Sequence, residues 1–245
     1  MKVVVYGGTG MLGQALLREC LLDPGVESVL TVGRRATGQR QPKLRELVLP
    51  DLFDHSSIAA ELSGLDACFF CLGVSSAGMS EADYRRVTHD LTMAAARALA
   101  AASPGMTFHY VTGAGTDSTG KGRTMWARVK GETENELLAM ASSGLFRAAY
   151  MYRPGYIQPM HGVVSKTPLY RLAYRVTTPL FPVLRRLAPR SVTTSEHFAQ
   201  AMLEAARHGA PKRILESPDI EALAAALQMS RSNSSTPSRQ TGTPQ

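Results

Sequence analysis

Four glycines near the start of the chain have the spacing of a phosphate-binding loop. The segment reads Gly7-Gly8-Thr9-Gly10-Met11-Leu12-Gly13, and it follows a short β-branched run and opens a helical pattern. Gly7 permits a tight turn, Gly10 lets the backbone approach a pyrophosphate, and Gly13 lets the helix pack close to the strand. The start of that helix would add unpaired N–H groups and partial positive charge. The whole segment is therefore predicted to bind a dinucleotide, with a ligand-free glycine-rich turn as the alternative.

A pair of arginines follows the second strand pattern, where the chain reads Thr31-Val32-Gly33-Arg34-Arg35. An acidic residue at this point would accept hydrogen bonds from a ribose 2′-hydroxyl, whereas guanidinium groups suit the geometry of a 2′-phosphate. Arg34 and Arg35 therefore predict a preference for NADP(H) over NAD(H). The alternative is a solvated arginine pair at the end of a strand.

The elements that must position these residues alternate between strand and helix along residues 1–152. Strand patterns occupy 3–6, 28–32, 44–49, 67–72, 107–112 and 146–152, and helical patterns occupy 11–22, 81–102 and 124–140. Near-continuous apolar strands such as 67–72 fit a parallel sheet that is covered on both faces. The alternation predicts an α/β fold with a doubly wound parallel sheet, the Rossmann arrangement, in which residues 1–152 bind the dinucleotide.

The pattern changes after residue 152. Six prolines interrupt the chain between 154 and 189, and a helix begins near Thr194, with Ser195 as its expected N-cap and Glu196 in its first turn. We expect residues 153–228 to form a small lid or substrate lobe that closes over the carboxyl edge of the sheet, together with C-terminal helices. Residues 229–245 are rich in Ser, Thr, Pro, Gln and Arg, which predicts a disordered tail.

Further segments extend the pattern set by the glycine loop and the arginine pair. They are Asp51 after the third strand pattern, Cys71-Leu72-Gly73 after the fourth, Tyr84-Arg85-Arg86-Val87-Thr88-His89-Asp90, residues 110–117, Trp126-Ala127-Arg128-Val129-Lys130-Gly131-Glu132, and Arg153-Pro154-Gly155. With them, the sequence up to about residue 210 resembles the atypical short-chain dehydrogenase/reductases of the NAD(P)H-binding, epimerase-like type. It is similar to the Tat-interactive oxidoreductase-like subgroup.

The resemblance implies a cofactor that lies across the carboxyl edge of the sheet. It implies Asp51 and Leu52 near the adenine, Gly73 with Leu72 beside it near the ribose, and Pro154, Gly155 and Ile157 near the nicotinamide. In that family a Ser or Thr, a Tyr and a Lys four residues after the Tyr carry out the chemistry. Residues four apart share one helix face, so the Lys can hold the nicotinamide ribose and lower the pKa of the phenol, which passes a proton to a carbonyl oxygen.

The sequence departs from that pattern at the tyrosine. Lys130 is present, but the residue four positions before it is Trp126. An indole N–H can donate a hydrogen bond but is not a usable acid or base near neutral pH. Thr112 offers the hydroxyl in the expected serine region, and Lys130 is expected to keep its ribose-binding role. Thr112 and Lys130 are therefore the candidate catalytic residues.

The loss of the tyrosine leaves three outcomes open. Another group could supply the proton, and four side chains lie in or near the segment expected to face the nicotinamide: Tyr150, Tyr152, Tyr156 and His161. Hydride transfer to a flavin or a quinone would need no proton from the protein. Otherwise catalysis is lost. The predicted function is an NADP-dependent oxidoreductase that lacks the usual tyrosine, and the alternative is a non-catalytic NADP(H) sensor or assembly protein.

The net charge of +7 comes mainly from one segment. No acidic residue lies between Glu136 and Glu196, and most of the cations in that gap fall within 166–190. This basic segment is interpreted as a lid with solvated arginines, as an attractor for an anionic small-molecule substrate, or as a contact with an anionic membrane surface. A nucleic-acid partner is not predicted, because no recognisable binding module is present. The oligomeric state stays open.

Three cysteines are too few for a disulfide framework and fit a reducing compartment. Cys68 and Cys71 have the spacing of half a metal site, but residues three apart in a strand point to opposite faces, so no metal is predicted. No apolar run approaches the ~20 residues that span a bilayer, and the early glycines do not fit a signal peptide. These features predict a cytoplasmic protein.

Overall fold

Seven parallel strands form the central sheet of the part of the chain that the structure describes. The computed structural model describes residues 1–163, 178, 181–182 and 186–234. The strands of this sheet are β1 Lys2–Tyr6, β2 Ser28–Gly33, β3 Leu44–Val48, β4 Ala67–Phe70, β5 Thr107–Val111, β6 Ala148–Arg153 and β9 Ile214–Glu216, while β7 Tyr156–Gln158 and β8 Val192–Thr194 pair separately. The order is β3-β2-β1-β4-β5-β6-β9, with every pair parallel.

Helices cover both faces of the sheet. They are α1 Met11–Leu22, α2 Glu81–Arg85, α3 Leu91–Ala102, α4 Met125–Ser142, α5 Ser195–His208 and α6 Ser217–Ser234, with 3-10 helices at Ser56–Leu62 and Pro189–Ser191 and a π turn, Arg86–Asp90, joining α2 to α3. One buried core cluster packs α1, α5 and α6 on one face, and a second packs α3 and α4 on the other. The predicted doubly wound α/β fold is confirmed.

The strand order reverses at β1, which lies between β2 and β4. In open parallel sheets, ligands bind outside the carboxyl ends of the strands at such a switch point. All four residues of β4 are buried, as are Val3 to Tyr6 of β1, because helices cover both faces of these strands. The sheet therefore opens a cleft where β1, β2 and β4 end.

The residue that caps α5 differs from the prediction. Thr194, not Ser195, is the N-cap, because it has the extended backbone of β8 and its hydroxyl accepts a hydrogen bond from the His197 amide at 3.0 Å. The Ser195 hydroxyl instead accepts a hydrogen bond from the Met160 amide at 3.0 Å. Glu196 lies in the first turn, as expected.

The predicted tail begins later than residue 229. Helix α6 continues to Ser234, so residues 229–234 are helical. Arg231 explains the extension, since its guanidinium donates to the buried carboxylates of Glu19 at 3.1 Å and Asp23 at 2.8 Å. The remaining tail, 235–245, lies outside the described residues.

The predicted C-terminal lobe contributes directly to the core. Strand β9 pairs with β6, and α5 and α6 pack on α1, so the sequence after 192 closes the sheet rather than standing apart from it. Most of the basic segment, 166–190, lies outside the described residues, and its three interpretations stay predictions. Within the described ranges, no helix is both long and apolar enough to span a membrane.

Candidate functional site

The glycine loop lies between β1 and α1. Its glycines differ in how much space a side chain would have. Gly7 has a φ of 82°, and a Cβ there would lie 3.0 Å from the carbonyl carbon of Cys71. A Cβ on Gly13 would lie 2.1 Å from the Gly7 oxygen, which no side chain tolerates. A Cβ on Gly10 would lie 3.3 Å from the same oxygen, a contact that a small shift relieves. Gly7 and Gly13 are therefore required by the fold, while Gly10 keeps open the space in front of α1.

The first turn of α1 is suited to an anion. Gly10 is its N-cap and no side chain caps the helix. The first turn contains no acidic residue, so neither a carboxylate nor a side-chain cap competes for the N–H groups. Unpaired amides and the positive end of the helix dipole bind phosphate. The cradle fits the pyrophosphate of a dinucleotide.

The arginine pair shares a cleft of about 400 Å³ with this loop. Predicted site residues that line it are Gly7, Thr9, Arg34, Arg35, Leu52 and Leu72. Both guanidinium groups are exposed at its edge. Among the described residues that line this cleft, none is acidic.

Glu46 of β3 anchors the loop that carries the arginines. Its carboxylate accepts a hydrogen bond from the Thr37 amide at 2.6 Å and lies 3.3 Å from the Thr31 hydroxyl. Thr31 and Glu46 are register partners in β2 and β3. Glu46 was not predicted from the sequence; the available signal was an acidic residue within the strand pattern 44–49.

Several other predicted cofactor residues do not line this cleft. Met11 and Leu12 pack against the first core cluster, which also takes the side chain of Ile157. The Asp51 carboxylate accepts a hydrogen bond from the Phe53 amide at 2.9 Å and is exposed. Gly73 is exposed near the start of the loop after β4.

A second cleft of about 440 Å³ opens beside β5, α4 and β6. It brings together Thr112, Trp126, Lys130, Pro154 and Gly155, which sequence analysis had placed at the nicotinamide end. Lys130 donates to the main-chain oxygen of Thr112 at 2.9 Å. Burial lowers the pKa of Lys130 to about 8, against the opposing effect of a carboxylate one turn further along α4.

The hydroxyl of Thr112 is not available as a donor to a ligand. Its Oγ1 donates to Glu134 at 2.7 Å and lies 3.0 Å from the main-chain oxygen of Tyr152. A carboxylate and a carbonyl only accept hydrogen bonds, so the one hydroxyl proton is taken by them. This differs from the role that the family resemblance implies for a Ser or Thr at this position.

A buried ion pair lies beneath the cleft. Glu134 of α4 is fully buried, and its carboxylate accepts two hydrogen bonds from Nε of Arg153, at 3.1 and 3.2 Å, and a further one from Nη2. Arg153 also donates to the Ser118 hydroxyl, and the pairing with Glu134 raises its pKa. Glu134 was not predicted from the sequence, although Trp126, Lys130 and Glu134 recur every four residues on one face of α4.

The four alternative proton donors are engaged elsewhere. Tyr152 is in the core with its hydroxyl 2.9 Å from His109, and the Tyr150 hydroxyl accepts a hydrogen bond from the Ala210 amide at 3.2 Å. The hydroxyl of Tyr156 donates to its neighbour Gln158, and His161 pairs with Glu196 at 2.9 Å. Tyr84 of α2 does line the second cleft, although it was not predicted as a proton donor.

Residues 3–133 match the sequence model of a family described as the NAD dependent epimerase/dehydratase family. This is more than half of the chain. The chain belongs to the NAD dependent epimerase/dehydratase family. The resemblance to epimerase-like short-chain dehydrogenase/reductases is thereby confirmed, and membership of this family supports an NAD(P)-binding, oxidoreductase-like role.

Solved structures of low identity share the fold of this epimerase/dehydratase family member. The enzyme WbmF of Bordetella bronchiseptica, in complex with NAD+, has a TM-score of 0.66 at 16% identity, over 96% of this chain and 79% of its own. A UDP-galactose 4-epimerase has a TM-score of 0.61 at 17% identity, over 88% of this chain and 76% of its own. At such identities the likeness supports the Rossmann fold alone.

A curated relative corrects one prediction for this family member. Protein fmp52 of Emericella nidulans, named as mitochondrial, is 30% identical over 163 residues, which cover 64% of this chain and 66% of that protein, just under two thirds. Related proteins of Aspergillus oryzae and Scheffersomyces stipitis are also named as mitochondrial. The prediction of a cytoplasmic protein was wrong, because cysteine usage does not separate the cytoplasm from mitochondria.

Proposed function

We propose that this protein is an NADP(H)-dependent oxidoreductase that reduces a small carbonyl compound without a tyrosine at position 126. One observation carries the cofactor preference: Arg34 and Arg35 line the same cleft as the glycine loop, and none of the described lining residues is acidic. Two guanidinium groups match a 2′-phosphate, which NADP(H) has and NAD(H) lacks. Glu46 supports this by holding the Thr37 amide, and with it the loop that carries both arginines.

The two clefts would bind different parts of the dinucleotide. The first turn of α1 would hold the pyrophosphate, Arg34 and Arg35 the 2′-phosphate, and the second cleft the nicotinamide end and the substrate. When bound in its reduced form, the dinucleotide supplies a hydride. Lys130 is the positively charged residue among the described lining of that second cleft, beside the ring of Trp126.

The second cleft favours a small-molecule substrate. Its volume of about 440 Å³ must take the nicotinamide end as well as the substrate. Tyr84 and Trp126 are among the residues that line it, which favours a compact, planar carbonyl compound, including a quinone.

A second candidate function is a non-catalytic NADP(H) sensor. It is favoured by the geometry of Thr112, whose proton is taken by Glu134, together with Trp126 at the tyrosine position. Turnover separates the two functions. NADPH oxidation by the wild-type protein with a carbonyl or quinone in a broad panel supports the oxidoreductase, whereas binding without turnover, with activity created by Trp126→Tyr, supports the sensor.

The cofactor preference is tested by calorimetric titration with NADPH and NADH. We expect the wild-type protein to bind NADPH at least about tenfold more tightly. The Arg34→Ala, Arg35→Ala double variant should lose about 10- to 100-fold for NADPH alone, which is about 1.4–2.7 kcal/mol and close to the contribution of one charge-assisted hydrogen bond. Arg40→Ala removes an exposed arginine from the same loop and is the matched control. Equal affinities for both cofactors, unchanged in the double variant, would refute the NADP(H) preference.

A further inference from the structure

The ammonium group of Lys130 has an N–H group to spare after its hydrogen bonds to the main chain. Its Nζ donates to the main-chain oxygen of Thr112 at 2.9 Å and makes a longer contact, 3.4 Å, with the oxygen of Val111. An ammonium has three N–H groups. At least one is therefore left to point into the cleft that Lys130 lines.

The neighbouring polar groups of the cleft are poorer sources of a proton. The hydroxyl proton of Thr112 is taken by Glu134, at 2.7 Å. The indole N–H of Trp126 and the hydroxyls of Ser75 and Ser76, which also line the cleft, do not ionise near neutral pH. An ammonium can release a proton and become a stable neutral amine. Lys130 therefore lines the cleft and can also donate a proton there.

We propose that Lys130 is the proton donor of the reaction and acts directly on the oxygen of an aldehyde or ketone substrate. The inference rests on the proposed reductase function. The carbonyl carbon accepts a hydride, whose source is the reduced dinucleotide, and the C=O π electrons move onto oxygen. That oxygen forms an O–H bond as an N–H bond of Lys130 breaks, and the neutral amine then regains a proton from water. The carbonyl is reduced by two electrons and the dinucleotide is oxidised by two.

The surroundings of Lys130 favour proton release near neutral pH. Burial lowers its pKa to about 8, and Glu134 on the same helix opposes this. The positive charge of Arg153, from β6, is paired with Glu134, and Tyr84 faces the cleft from α2. A general acid works best when its pKa lies near the working pH. Turnover should therefore be full below about pH 8 and decline above it, as Lys130 loses its proton.

The first test measures Lys130 without any turnover. The six lysines are labelled by reductive ¹³C-methylation, and the Lys130 resonance is assigned from its loss in Lys130→Arg, with the exposed Lys121→Arg as the control. In the protein without cofactor, we expect this resonance to titrate near pH 8, well below the usual lysine value of 10.5. A titration at the usual value would overturn the proposal.

The second test uses kinetics with a panel of aldehydes and ketones. Arginine at position 130 keeps the positive charge but cannot release a proton at neutral pH. We expect Lys130→Arg to lower kcat about 100-fold or more while the Kd for NADPH stays within about threefold, and Lys121→Arg to leave both unchanged. If Lys130→Arg retains wild-type kcat, or if Tyr84→Phe instead removes the alkaline decline, Lys130 is not the donor.

Failure of the proposed function gives a different result. The wild-type protein would then bind no dinucleotide, or would bind NADPH and oxidise it with no member of the panel. If the wild-type protein shows no turnover, both the proposed function and the role of Lys130 are overturned. If the wild-type protein is active and Lys130→Arg is equally active, only the role of Lys130 is overturned.

Discussion

Thr112, at the end of β5, donates its hydroxyl proton to the buried carboxylate of Glu134 on α4, with 2.7 Å between the two oxygens. Glu134 is also paired with Arg153 of β6. Three elements thus meet at one carboxylate below the second cleft. The same carboxylate fixes Thr112, whose main-chain oxygen holds Lys130 at 2.9 Å.

The buried pair of Glu134 and Arg153 should matter more for stability than an exposed pair on the same helix. We expect Glu134→Gln to lower the free energy of unfolding by about 3 kcal/mol or more, because it leaves the Arg153 charge largely buried without a carboxylate. Glu132→Gln is the matched control, since Glu132 pairs with Arg85 at the surface and should contribute less than about 1 kcal/mol.

Urea denaturation at pH 7 measures both variants. A similar loss of unfolding free energy in Glu134→Gln and Glu132→Gln would mean that the buried pair contributes no more to stability than the exposed pair. Lys130 provides a second readout, because displacement of Thr112 should also move the Lys130 resonance.

Gly10 and Gly13 should separate cofactor binding from folding. A Cβ on Gly13 would lie 2.1 Å from the Gly7 oxygen, so Gly13→Ala must displace backbone, and we expect it to cost about 2 kcal/mol or more of stability. Gly10→Ala meets the same oxygen at 3.3 Å and should change stability by less than about 1 kcal/mol, yet weaken NADPH at least about tenfold by occupying the space before α1.

Thermal unfolding and NADPH titration of the two alanine variants give the comparison. If Gly10→Ala binds NADPH as tightly as the wild-type protein, the pyrophosphate does not approach the helix at Gly10.

His109 should make the protein sensitive to acid. Burial lowers its pKa to about 3, from the ordinary 6.5, with a smaller contribution from Arg147. The unfolded chain therefore binds more protons than the folded chain between these values, and stability falls as the pH drops through that window. The contribution of His109 to the free energy of unfolding is complete above about pH 6.5. Below that pH it is lost at up to about 1.4 kcal/mol per pH unit.

Replacing His109 by Gln removes this titration. Although the loss of the contact with Tyr152 should lower stability at pH 7, the slope between pH 6 and 4 should become shallower by about 1 kcal/mol per unit. Urea denaturation at several pH values measures the slopes, and His208→Gln, at an exposed position, controls for the loss of a histidine. Parallel curves for wild-type protein and His109→Gln would contradict the prediction.

Local pattern was sufficient for most of the fold. Helix α1 has the predicted bounds, Met11–Leu22, because its glycine N-cap and apolar periodicity are both local signals. Strand β9 was missed because three residues are too few to show a period, and they become a strand only by pairing with β6. The extension of α6 was missed because its cause, Arg231, acts on Glu19 and Asp23 more than 200 residues earlier.

The parallel sheet, the glycine loop, the arginine pair and the tryptophan in place of a tyrosine at position 126 could all be predicted from the sequence, since each shows in a local pattern of residues. Which groups still have protons to give depends on the folded structure. The proton of Thr112 is taken by Glu134, 22 residues away, and burial between three elements lowers the pKa of Lys130 to about 8. Desolvation and hydrogen-bond partnership depend on distance in space, and residue types along the chain do not record it.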